Sequence, residues 1–216
     1  MLNFVEEIVL LLLDDTHGKF IDLPVSATDV VLAGAALMEL ALQNRVDADP
    51  DHVTLVNRTA TGDEILDDAI GRLGAAGGSL TATEALSCLT ANAEAYQGRA
   101  VQSLIEKGIL REEDGQFLWV FHTRRYPVVD ETEQREVTAR LRHLVLTDDI
   151  PEPRDVVLLC LIDASNLLHL LLSEDEIEKN RARIDYLVRL DLIGQAVTKA
   201  VAEIQVIVRG ASTGIY

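Results

Sequence analysis

Aromatic residues make up only 4% of this 216-residue chain, and Trp119 is its single tryptophan. A core here must be filled by Leu, Val, Ile and Ala. At 48% hydrophobic content there is enough for one large domain or two small ones. Cysteine is nearly absent: Cys88 and Cys160 both sit in apolar helical context and read as small buried thiols of a reducing compartment. Bases are scarce beside acids, nineteen against thirty-six, which gives a formal charge of −17. Phosphate-rich partners such as duplex DNA therefore meet a repulsive field unless a local cluster of bases collects them. Long apolar runs are missing too. Ile8 to Leu13 falls far short of the roughly 20 residues that span a bilayer, and Val156 to Leu172 is interrupted by Asp163, Asn166 and His169. Glu6 and Glu7 stand where a secretory signal carries bases. The expectation is a soluble, unprocessed chain.

Catalytic constellations are equally thin. Histidines 17, 52, 122, 143 and 169 show no metal-ligand spacing with one another or with cysteine. There is no GxSxG elbow. The adjacent acids Glu6-Glu7, Asp14-Asp15, Asp67-Asp68, Glu112-Glu113 and Asp148-Asp149 point apart on a helix and suit solvated faces and helix ends. "GAAGGS" at 74–79 lacks the Lys of a phosphate loop and follows a helix, so it reads as a plain linker. No enzyme, cofactor or metal is expected.

What is present is helical periodicity. Leu2 to Leu13 reads as a buried helix stopped by Asp14-Asp15 and Gly18. Lys19 to Pro24 is extended, and Ser26 or Thr28 caps a helix whose Val30, Val31, Leu32, Ala35, Leu37, Met38, Leu40 and Ala41 leave little polar circumference. Val53 to Val56 reads as a strand, and Thr61 as the cap of a helix over Asp63 to Leu73. Helices follow at Thr81 to Leu89 and Ala91 to Lys107, the latter closed by Gly108. Later helices are expected over Asp130 to Leu146, Arg154 to Leu172 (the most apolar, hence central), Glu174 to about Asp191 and Ile193 to Val208.

Between them lies "ILREEDGQFLWVFHTRRYP". Asp114-Gly115 is a hairpin turn signal between Ile109 to Glu112 and Gln116 to His122. A helix ending in "LIEKGIL" and running into a hairpin is how a winged helix ends, which makes a nucleic-acid-binding regulator the alternative reading. Its turn is acidic, however, and both faces of "FLWVF" are apolar: Phe117, Trp119 and Phe121 on one side, Leu118 and Val120 on the other. Nucleic acid is disfavoured, and a strand with two apolar faces is either buried on both sides or a sticky surface.

The segments "EEIVLLLLDDTHGKF", "LAGAALMELALQNRV", "TGDEILDDAI", "LIEKGIL" and "LIDASNLL", in this order from about Leu2 to about Ile204, resemble the Golgi phosphoprotein 3 family, which includes the yeast vacuolar-sorting homologue. The composition looks like that of a bacterial member. The resemblance implies a mainly α, single domain over 1–209: a central helix bundle wrapped by amphipathic helices, with a protruding β-hairpin and a flexible tail at 210–216. It implies a non-enzymatic peripheral adaptor on the cytoplasmic face of a membrane. Its partners would be an anionic lipid such as a phosphoinositide, membrane-associated client proteins, and a second copy, met through hairpin residues 117–121 with Arg99, Arg124 and Arg125 as the bases for lipid headgroups. In the family's eukaryotic members a Trp and three Arg hold phosphatidylinositol 4-phosphate. Carried over, those positions fall on Pro24, Ala33, Glu94 and Gln97, so the headgroup set is not kept, while Arg99 retains a family base.

Overall fold

A computed structural model describes residues 2–14, 18–23, 25–49, 52–117, 121–190, 195 and 199–201. Helix α1 (Phe4–Leu11) starts on a reciprocal cap: the Asn3 side chain accepts from Glu6 N at 2.9 Å, and the Glu6 carboxylate accepts from Asn3 N at 2.9 Å. Every residue of α1 is buried, including Glu6 and Glu7. Helix α2 (Val25–Leu42) begins before Thr28, which therefore lies within the helix and does not cap it. Its run of Ala33, Ala35 and Ala36 is fully buried, so neighbours approach closely. Around α2 pack α1, α3 (Glu64–Ala75), α4 (Ala82–Thr90), α5 (Ala93–Glu106) and α7 (Pro153–Ala164). The hub of the bundle is thus α2. Helix α7, expected at the centre, lies between α2, α6 (Thr132–Leu146) and α8 (Glu174–Val188). It also ends early. Asn166 turns left-handed at φ 60° after Ala164, and a short 3₁₀ turn at Leu168–Leu170 replaces the last expected turns.

Strands β1 (Val46–Ala48), β2 (Val53–Leu55) and β3 (Ser79–Leu80) form a small antiparallel sheet in the order β1-β2-β3. The expected linker at 74–79 is part of this construction. Helix α3 continues to Ala75, then Gly77 and Gly78 reverse the chain at φ 113° and 79°, and the Gly78 carbonyl accepts from Leu55 N at 2.6 Å. Both cysteines remain thiols; Cys160 is buried with its Sγ 3.8 Å from the Val188 carbonyl.

The hairpin is β4 (Glu113–Phe117) and β5 (Phe121–Arg125), paired with one another. Its register, Phe117 opposite Phe121 and Gly115 opposite Thr123, places Asp114-Gly115 inside β4, so the expected turn there is wrong. Local turn preference loses to a longer ladder. At the root, Gly18 (φ 60°) lies against the Tyr126–Pro127 backbone, its carbonyl accepts from Tyr126 N at 2.7 Å, and Phe20 meets the Tyr126 ring edge-on at 6.2 Å.

Buried charge joins the layers. Arg154, from α7, donates to Glu39 at 3.0 Å, to Glu7 at 3.3 Å and to the Leu2 carbonyl at 2.7 Å, and lies 4.1 Å from the Phe4 ring centroid. Arg140, from α6, bridges Glu7 and Asp155, each at 3.0 Å. Glu6 takes Lys107 and, at 2.7 Å, the Ser103 hydroxyl.

The start of α3 corrects the expected cap. Asp63, not Thr61, is the N-cap, its carboxylate accepting from Ile65 N at 2.8 Å and Leu66 N at 3.1 Å while also taking Asn3 Nδ2 at 2.7 Å. Thr61 instead holds Asp67, through its N–H at 2.6 Å and its hydroxyl at 2.8 Å. That backbone hydrogen bond is the first reason the Asp67 carboxyl lies below the usual range. Asp63→Ala is expected to lower stability by about 1–2 kcal/mol, and Thr61→Ala by about 0.5–1 kcal/mol, in urea unfolding. The reverse order would restore Thr61 as the cap.

Candidate functional site

The region matching the family's headgroup positions lies where the start of α2 faces the start of α5. Residues three or four apart share a helix face, so Asp29 and Ala33 present the same side of α2, as Glu94 and Gln97 do for α5. Ala33 is fully buried and offers no donor. Burial pushes the Asp29 carboxyl up, and the charge of Glu94 pushes it further, which places two carboxylates in each other's field. Gln97 is half-buried. Pro24 lies outside the described residues. A phosphate entering here meets like charge, without the planar forks that arginine supplies.

Helix α5 has its N-cap residue, Asn92, diverted. The Asn92 amide donates to Asp68 at 2.8 Å, beside the Tyr96 hydroxyl at 3.1 Å and Arg72 Nε at 2.6 Å. Burial raises Asp68, but these three donors together outweigh it and hold its carboxyl low. The same burial, then the Asp68 charge, pushes the Tyr96 phenol well up. This knot fixes α5 on α3 and is structural.

Arg99 keeps its place on α5 but is engaged: Nη1 donates to the Glu64 carbonyl at 3.0 Å, and Nε stands 3.9 Å from the Glu64 carboxylate. Arg124 and Arg125 sit on β5, in register with Asp114 and Glu113 of β4. Arg99 is tied to α3, and Arg124 and Arg125 belong to the hairpin strand β5. Phe117 and Phe121 are the paired strand ends; Leu118, Trp119 and Val120 lie outside the described residues. Asp29 gives no signal in the sequence and Glu64 reads there only as an acid suited to a helix N-terminus, because neither falls on a family headgroup position and their partners are 65 and 35 residues away in the chain.

Among the described residues no three His, Cys, Asp or Glu side chains are placed to hold a metal, and no helix is long and apolar enough to cross a membrane. Fold and surface together define a mainly helical, single-domain protein with a small sheet and a separate hairpin. The model of the Golgi phosphoprotein 3 (GPP34) family matches residues 4–204, and the chain belongs to that family. No curated protein matches the chain.

Proposed function

We propose that this family member is a non-enzymatic peripheral adaptor that meets a membrane through its hairpin and does not select phosphatidylinositol 4-phosphate. The observation that carries the reading is the acidic pair Asp29 and Glu94, beside the buried Ala33, where the family's headgroup arginines would stand. The hairpin supplies the alternative contact. Its strands close at Phe117 and Phe121, and the residues between them in sequence are Leu118, Trp119 and Val120, all apolar. Client proteins held at the same surface would complete the adaptor role that family membership suggests. The nucleic-acid reading has no support from the family match and stays disfavoured by the charge of −17.

Flotation on vesicles of phosphatidylcholine alone, with phosphatidylserine, or with phosphatidylinositol 4-phosphate at matched charge tests this. The two anionic compositions should recover the protein equally. Losing the arginine contacts removes about 1.5–3 kcal/mol each for charge-assisted bonds, so submicromolar binding restricted to the phosphoinositide would defeat the proposal. Trp119→Asp with Phe121→Ser should reduce flotation while circular dichroism keeps its helical signal. A collapse of helicity would instead assign the hairpin to the core.

A further inference from the structure

We infer that the cleft between the end of α1 and α6 is a binding site for a monomeric single-chain amphiphile with a zwitterionic phosphate head. It is an open cavity of about 1000 Å³, built on elements distinct from the α2–α5 headgroup region and from the hairpin. At that size it lies at the upper end of small-molecule sites.

Its two walls differ in chemistry. Leu11, Leu13 and Ile21 on the α1 side, with Leu170 at the far end, make an apolar surface. Leu11 and Leu170 in turn pack against Ile8, Ile162 and Leu167, which back the apolar wall. The α6 wall is polar. Glu131, Arg135 and Arg142 follow one another at spacings of four and seven, which keeps them on one face and spreads them over about 16 Å at 1.5 Å per residue.

The charge at the cleft departs from the rest of the molecule. Arg135 and Arg142 meet Asp14, Glu131 and, against Arg142, Glu176, a local charge of −1 in a chain whose total is −17. Arg135 is paired with Glu131 through Nη2, and Arg142 spends Nη1 and Nη2 on Glu176 and the Leu171 carbonyl. Each guanidinium has five N–H donors, so nitrogens remain for a phosphate oxygen. A head with one phosphate and one quaternary or primary amine can face arginine and carboxylate together. A polyanionic head has too few unshared bases here, and a purely cationic head meets two guanidinium groups. An apolar wall beside a rim that carries both signs of charge fits a tail joined to a zwitterion.

The test uses 1-lauroyl lysophosphatidylcholine below its critical micelle concentration, titrated into the full chain by calorimetry, with dodecyltrimethylammonium for comparison. Saturable binding is expected for the first, about tenfold or more tighter than for the cationic probe. Ala139 lines the cleft on α6 and is exposed, so Ala139→Trp fills the space without disturbing the core. That variant should bind the probe about tenfold or more weakly, with thermal unfolding unchanged. Flotation on phosphatidylcholine vesicles should not differ between Ala139→Trp and the parent chain, since the hairpin makes that contact. Absence of saturable binding to the monomeric probe, or equal affinity in the Ala139→Trp variant, would overturn the assignment. So would a loss of flotation in Ala139→Trp, which would make the cleft a bilayer contact.

Discussion

Arg154→Ala is expected to lower stability by about 3–5 kcal/mol, the usual consequence of stripping one partner from a buried ion cluster. The guanidinium serves Glu39, Glu7 and the Leu2 carbonyl at once and covers the Phe4 ring. Its loss leaves Glu7, 3% exposed, with Arg140 as the remaining cation. Burial already pushes the Glu7 carboxyl up, against the pull of Arg154 and then Arg140. A carboxyl raised in the folded state adds stability below its unfolded pKa and loses that contribution as pH climbs through the folded value. Without Arg154 the Glu7 carboxyl rises further. The penalty in urea unfolding should therefore be larger at pH 7 than near pH 5, and smaller in a Glu7→Gln background. Equal penalties at both pH values would show that Glu7 is not the strained partner. Glu176 has the opposite sign: Arg142 first, then Ser173, hold it down at about 2, so its contribution persists above the ordinary carboxylate range and disappears only in strong acid.

Gly18→Ala should be nearly as damaging, by about 2–4 kcal/mol, from a left-handed backbone that resists a side chain and from overpacking. An added Cβ would lie 2.4 Å from Pro127 N and 2.5 Å from the Tyr126 carbonyl carbon. Those are backbone atoms, which cannot rotate away. The hydrogen bond from Tyr126 N to the Gly18 carbonyl, 2.7 Å, has to lengthen, and the hairpin root moves with it. Amide exchange should accelerate at Tyr126, where protection depends on that bond. Unchanged exchange and a stability loss under about 0.5 kcal/mol would mean that the loop yields instead.

Much of the helical framework was legible in short-range signals. Thr81 and Ser173 begin α4 and α8 with reciprocal caps to Glu84 and Glu176, three residues on, as a local rule reads them. Gly108 closes α5 at φ 73°. The errors arose where a distant partner overrode such a signal. Asp114-Gly115 is a good turn pair, but the chain beyond it pairs from Glu113 to Arg125 and carries it into a strand. The glycines at 74–78 look like slack, yet Leu55, some twenty residues earlier, takes the Gly78 carbonyl into the sheet. Thr61 is a plausible cap, but Asp63 takes that role with one carboxylate oxygen while Asn3, sixty residues away, holds the other. Electrostatic features were the least legible. Glu6 and Glu7 read as solvated acids, whereas the structure buries them against Lys107, Arg140 and Arg154, and no periodicity in α1 announces a partner more than a hundred residues downstream. The site followed the same pattern. The missing arginines at Ala33, Glu94 and Gln97 could be read directly, but the facing carboxylates of Asp29 and Glu94 required the packing of α2 on α5.

The dependence of α1 on late partners has a consequence during synthesis. The helix emerges early with "FVEEIVLL", but Arg140 and Arg154 are translated 133 and 147 residues after Glu7. At about 5–20 residues per second, that interval is roughly 7–30 s. For that time an apolar segment waits on the nascent chain with Glu7 uncompensated, and with Glu6 uncompensated until Lys107 follows it 101 residues later. Its two carboxylates, awkward in the finished core, keep the segment hydrated while it waits and guard against premature association.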